Sequence, residues 1–238
     1  DIVFHMAANF ANQNSIDHPE KDLLVNGRGT LKLLTYSHRY GVKRFIYASS
    51  SCVYGNMIGA INEETTKSQP DTPYAITKLL GEHYTKFFHE YYGLPTVILR
   101  IFNSFGPGEK PGKYRNVIPN FIATAIKGKP LTVTGTGAET RDFNWIGNTI
   151  QGLLLAAEKE AAIGETFNIG SGVATPITKV AELINNITKN RTSLKFTEKR
   201  KWDRVTNRKA DISKAKKLLG YKPEIDLPKH LKLTYEWL

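Results

Sequence analysis

Tyr74 and Lys78 stand four residues apart, directly after Thr72 and Pro73. Thr caps helices and Pro suits the first helical position, so a helix is predicted from Pro73 with both side chains on one face. A phenol titrates near pH about 10 and is a poor base at neutral pH. A nearby ammonium and the positive end of a helix both favour phenolate. Tyr74 can then exchange a proton with a substrate hydroxyl, with Lys78 lowering its pKa. Upstream, Ser49, Ser50 and Ser51 end an apolar run, and Ser50 can hold the same substrate oxygen. The chain has 11 Tyr, so roughly one such Tyr-Lys spacing arises by chance and its surroundings must carry the argument.

The surroundings read as strands and helices in alternation. Residues 1–8 pattern as a strand ending in the small pair Ala7 and Ala8, and residues 12–19 as a polar loop. A helical pattern follows over 19–40, with Leu23, Leu24, Leu31 and Leu34 at core spacing and Gly41 as a stop. Gly27 and Gly29 inside it each cost about 1 kcal/mol against Ala, which points to close packing on a sheet. His5 reads as a packed strand histidine. A strand over 42–48 delivers the three serines to its carboxyl end, where open α/β sheets hold ligands. Residues 55–71 read as loop, 73–92 as helix and 96–101 as a β-branched strand leading to Asn103. Further helices are expected over 116–127, 147–158, 176–187, 213–219 and 228–237, and strands over 131–134 and 166–169.

The chain has 238 residues, 40% hydrophobic and 23% charged, which suits a globular protein with a sizeable core. No apolar run approaches the roughly 20 residues of a membrane span. A single cysteine, Cys52, allows no internal disulfide and fits a reducing cytoplasm. Net charge is +11, concentrated between Lys189 and Lys217, where twelve Lys/Arg face three acids. A solvated basic face accounts for most of these. No helix-turn-helix, zinc-finger or RNA-binding signature accompanies them, so nucleic acid is not an expected partner. A few of the cations facing a diphosphate is the intermediate reading.

Taken together, the motifs resemble the extended short-chain dehydrogenase/reductases in their sugar-nucleotide epimerase/dehydratase branch, UDP-glucose 4-epimerase among them. The matching stretches are Asp1-Ile-Val-Phe-His-Met-Ala-Ala8, Asn26-Gly-Arg-Gly-Thr30, Ser49-Ser-Ser-Cys-Val-Tyr-Gly55, Tyr74-x-x-x-Lys78, Arg100-Ile-Phe-Asn-Ser-Phe-Gly-Pro-Gly108, Asn116-Val-Ile-Pro119, Arg141-Asp-Phe143 and Ala210-Asp-Ile-Ser-Lys-Ala215. The resemblance implies a doubly wound, Rossmann-like α/β sheet over residues 1–108 and a smaller, mainly substrate-binding α/β domain over 109–238, with a strand near 166–169 returning to the sheet. It implies NAD as cofactor and a nucleoside-diphosphate sugar as substrate. Ser50, Tyr74 and Lys78 are then catalytic, and Ala7, Ala8, Asn26, Ser49, Tyr74 and Lys78 face the cofactor. Ser50, Asn103, Asn116, Val117, Arg141, Arg200 and Asp203 face the substrate. The spacing to Asp211 differs by one residue from the epimerases, leaving Lys201 and Arg204 as the alternative to Arg200 and Asp203. In that branch the helix after Pro73 and the one before it form a dimer interface, so the resemblance implies a homodimer.

Two departures refine the expectation. Dehydratases of this branch carry an Asp-Glu pair after the catalytic Ser/Thr, and decarboxylases a Glu before Val-Tyr-Gly. Ser51 and Cys52 occupy those positions, which favours plain epimerisation or reversible oxidation at one carbon. No Gly-x-Gly-x-x-Gly turn occurs in the chain, so the first βαβ unit of the dinucleotide fold is expected to be missing and the sheet incomplete, with an open edge at the first strand. A sugar-nucleotide decarboxylase or dehydratase, and a truncated, non-catalytic sugar-nucleotide binder, are the rival readings.

Overall fold

A computed structural model describes all 238 residues. In chain order the elements are β1 (Ile2–His5), α1 (Asn12–Asp17), α2 (Pro19–Asp22), a π-turn (Leu23–Arg28), α3 (Gly29–Arg39), β2 (Arg44–Ser50), a 3-10 turn (Ser51–Tyr54), β3 (Gly59–Ile61), α4 (Pro73–Tyr92) and β4 (Thr96–Ile101). There follow β5 (Ser104–Phe105), α5 (Val117–Ile126), β6 (Thr132–Thr134), β7 (Thr140–Arg141), β8 (Asn144–Trp145), α6 (Ile146–Glu158) and β9 (Thr166–Ile169). The chain ends with β10 (Thr175–Pro176), α7 (Ile177–Thr188), β11 (Lys195–Thr197), β12 (Arg208–Ala210), a π-turn (Ala215–Leu219) and α8 (Leu227–Trp237).

The central sheet is parallel, in the order β1-β2-β4-β9. Ile2 pairs with Arg44, Phe45 with Thr96 and Ile98 with Thr166, so the expected return of residues 166–169 to the sheet is observed. Strand alternation gives β2 two buried faces. Phe45 and Tyr47 pack with Leu34, Phe88 and Leu94 under α3 and α4. Ile46 packs with Val97, Leu99, Phe167 and Tyr221 on the other face. A further apolar core joins Phe105, Ile122, Val133, Phe143, Ile184 and Leu231 beneath α5, α7 and α8.

Helix α4 begins and ends where local chemistry dictates. The Thr72 hydroxyl accepts from the Ala75 amide, Pro73 takes the first position and left-handed Gly93 stops the helix. Its close approach to β2 depends on Gly81, since a Cβ there would run into the Tyr47 ring. The Tyr47 hydroxyl in turn donates to the Lys78 carbonyl at 3.3 Å.

Three local expectations are corrected. Residues 12–17 form a short helix inside the polar stretch, without a side-chain cap, and the 55–71 segment contains β3, which pairs in parallel with β12. Gly27 makes room for Leu23 and Leu80, so its packing partner is helix α4 and not the sheet; Gly29 has no close neighbour of that kind.

Candidate active site

A cavity of about 710 Å³ opens at the carboxyl ends of β1, β2 and β4 and extends beneath the 113–121 and 199–208 segments. Ser49 and Ser50 close β2, and Ser50 caps the 3-10 turn, its Oγ accepting from the Cys52 amide at 3.2 Å. Tyr74, in the first turn of α4, and Lys78, one turn on, line the same cavity.

The Lys78 ammonium is buried and donates to the Ala48 carbonyl at 2.8 Å. It lies 5.8 Å from the centre of the Tyr74 ring and 5.2 Å from that of Tyr47. Burial lowers its pKa to about 8, against the pull of the Asp22 and Glu82 carboxylates. Burial also raises the Tyr74 phenol above its ordinary value; Cys52 adds to the rise and the Ser50 hydroxyl opposes it. Desolvation therefore outweighs every helpful neighbour, and the expected lowering of Tyr74 by Lys78 is not seen. The amine is anchored to the strand rather than to the phenol.

Buried polar networks hold this geometry. Ser49 donates to Glu82, which accepts two hydrogen bonds in a fork from Arg100, at 2.9 and 2.6 Å. Asp22 accepts from Thr77, Asn26 and Asn9, tying α2 and the segment after β1 to α4. Asn26 also exchanges hydrogen bonds with both backbone groups of Asn9. His5 bonds Thr30 at 2.8 Å, and burial, then Lys78, lowers its pKa to about 4, so it is a neutral packed side chain as expected.

Of the remaining sequence-derived residues, Ala8, Asn103, Asn116, Val117, Arg141, Arg200 and Asp203 all line the cavity. Ala7 and Asn26 do not. Ala7 is exposed outside it, and the Asn26 amide is consumed by framework hydrogen bonds. Arg141 is paired to Asp203 at 2.7 Å and donates to the Val205 carbonyl, so it braces the 203–205 segment. Asn103 donates to the Asp142 carbonyl at 3.0 Å, and Asn116 to Glu109. Arg200 stacks over Trp202, whereas Lys201 and Arg204 are exposed away from the cavity.

The sequence reading missed Arg208, Trp202 and Gln13. The Trp202 indole donates to Gln13 at 2.8 Å, linking α1 to the basic segment across the cavity mouth. Arg208 had a readable signal: two residues before Ala210 on one strand, it must share that residue's buried face.

Comparison with known proteins gives a consistent picture. The profile of the NAD dependent epimerase/dehydratase family matches residues 1–170. An uncharacterised UDP-glucose epimerase of Bacillus subtilis is 35% identical over 95% of this chain and 71% of its own length. An epimerase structure from Methanothermobacter thermautotrophicus superposes with a TM-score of 0.97 at 47% identity, covering 100% of this chain and 71% of that one. UDP-glucuronic acid 4-epimerase of Bacillus cereus, solved with UDP-glucuronic acid and NAD, gives a TM-score of 0.90 at 32% identity, covering 100% and 74%. Other relatives carry the names of decarboxylases and dehydratases.

Proposed function

The chain belongs to the NAD dependent epimerase/dehydratase family, and from that premise we propose that it epimerises a nucleoside-diphosphate sugar at C4, with Tyr74 as acid and base. The observation that carries this reading is the convergence of Tyr74, Ser50 and Lys78 on one cavity with Ser51 and Cys52, not carboxylates, beside them. Elimination of water or loss of a carboxylate calls for a further acid or base at that place.

The residues suit the nicotinamide and ribose half of NAD. Lys78 spends one of its three N–H donors on Ala48, which leaves two for ribose hydroxyls. Ala8 and Ser49 present small side chains at the strand ends. Bound NAD supplies a reversible hydride acceptor whose oxidised ring is cationic, a charge that favours phenolate. Tyr74 takes the proton of the sugar hydroxyl as the carbinol carbon is oxidised, and Ser50 holds that oxygen. The keto sugar turns within the cavity, and Tyr74 returns the proton once its other face has been reduced. Arg200 and the amides of Asn103 and Asn116 hold the diphosphate end. A cytoplasmic setting belongs to the same reading.

The test is product analysis after incubating the NAD-loaded protein with UDP-sugars. A C4 epimer of unchanged mass supports the proposal; loss of carbon dioxide or water assigns the decarboxylase or dehydratase reaction instead.

A homodimer is part of the reading. Tyr36 and Tyr40 on α3 and Phe87 and Tyr91 on α4 are exposed, and Phe87 stacks on Tyr91 with ring centres 5.2 Å apart. Such an aromatic surface fits a second copy of the chain. Sedimentation analysis giving the mass of one chain refutes this part.

A further inference from the structure

Arg208 has no role in the mechanism above. It opens β12, and the strand's alternation turns Arg208 and Ala210 inward. Its side chain lines the cavity with only 5% of the residue exposed. Nη1 donates to the Gly55 carbonyl at 2.9 Å, and this is the guanidinium's one hydrogen bond. Nε is buried without a partner. Arg44, Arg100 and Arg141 each have a carboxylate at 2.6 or 2.7 Å, but Arg208 has no ion pair. Asp71 and Asp203 act on it only through space, and Arg141 repels it. A buried cation left without a counter-charge is destabilising by several kcal/mol. The position is built for an anion that the chain itself does not provide.

Location decides which anion. Gly55 ends the 3-10 turn that Ser50 caps, and Cys52 within that turn is among the groups facing the guanidinium. Arg208 therefore stands beside the segment that holds the reacting oxygen. In a hexopyranose reacting at C4 the ring neighbour on one side is C5, which bears C6. The diphosphate hangs from C1, across the ring, where the exposed Arg200 and Arg115 line the cavity. We propose that Arg208 binds the C6 carboxylate of the sugar, so that a nucleoside diphosphate hexuronate is the preferred substrate class. This rests on the C4-epimerase reading given above. The carboxylate is held as the anion and is not removed, since neither Ser51 nor Cys52 supplies the carboxylic acid expected of a decarboxylase at that place.

The test compares UDP-glucuronate with UDP-glucose on the NAD-loaded protein, by kcat/KM and by calorimetric Kd. The expected result is a preference for the uronate of roughly 100-fold in both measures, the scale of a buried charged hydrogen bond. R208M erases the preference and R208K keeps part of it. Equal or better use of UDP-glucose by the unaltered protein overturns the proposal with no variant needed. A folded R208M that loses both sugars equally also overturns it, and gives Arg208 to the diphosphate. Should R208M not fold, the unaltered protein and R208K decide. Turnover of neither sugar refutes the epimerase reading instead, and the calorimetric preference then still decides whether Arg208 reads a carboxylate.

Discussion

Lys78 gives its hydrogen bond to the carbonyl of Ala48, 2.8 Å away, while the Tyr74 ring centre lies at 5.8 Å. The amine is fixed to the end of the sheet and not to the phenol. Both groups are governed by burial: the ammonium is weakened to about 8, and the phenol is pushed up. Proton chemistry here depends on added charge rather than on an already ionised tyrosine.

The first expectation concerns pH. The Lys78 ammonium is lost as pH rises through about 8, so kcat/KM falls above that pH. K78R, whose guanidinium keeps its proton, shows no such fall at a rate lowered by roughly 10- to 100-fold. A stability effect follows from the same lowered pKa. Below about pH 8 Lys78 is charged in both the folded and the unfolded chain, and its burial opposes folding. Between about 8 and the ordinary 10.5 only the unfolded chain keeps the proton, and the penalty fades as pH rises. Denaturant titrations of the protein and K78M should therefore converge across that interval, the unaltered protein gaining.

Y74F should lower kcat by roughly 100- to 10,000-fold while UDP-sugar affinity changes little, since the phenol acts on the proton and not on the diphosphate. A parallel collapse of binding would mean that Tyr74 holds the ground state. Tyrosinate absorbance offers a second reading. The difference between the protein and Y74F should be absent at neutral pH without NAD, because burial keeps the phenol protonated.

Glu82 and Arg100 form a buried pair joined by a forked contact. R100M strands the Glu82 carboxylate and should cost about 3–5 kcal/mol in chemical denaturation. The double variant E82L/R100M removes both charges and should recover most of that loss. Additive losses would contradict the coupling.

Gly81 is a helix position at which alanine has the better intrinsic propensity, by about 1 kcal/mol. G81A should nevertheless destabilise the protein by about 1–3 kcal/mol, because its Cβ meets the Tyr47 ring. It should also lower kcat, since Tyr47 is bonded to the Lys78 carbonyl. A more stable, fully active G81A would show that α4 is free to move outward.

Much of this was legible from local chemistry. The limits of α4 follow from Thr72, Pro73 and Gly93, and the serines fall at the end of β2 because an apolar run stops there. What stayed hidden was long-range. Nothing near Gly59 announces a partner at Arg208, about 150 positions along, so β3 was read as loop. Asn26 has the residue type of a ligand contact, but Asn9, Asp22 and Thr77 claim its amide, and only the folded chain brings them together. Ala7 and Ala8 look alike in sequence; the path of the chain beyond β1 exposes one and turns the other to the cavity. The tuning of Tyr74 was misjudged because spacing reports which charges are near but not how much water has been removed.

The tie between Lys78 and Ala48 sets the proton-handling groups against a rigid datum. The side chains proposed to meet the sugar and its phosphates line the cavity from separate pieces of chain, near residues 103, 116 and 200–208. Those pieces can be exchanged or lengthened without disturbing the helix and strand that carry out the acid–base step. Selection of a new sugar in such a scaffold is a matter of remodelling the rim, with the reaction carried along unchanged.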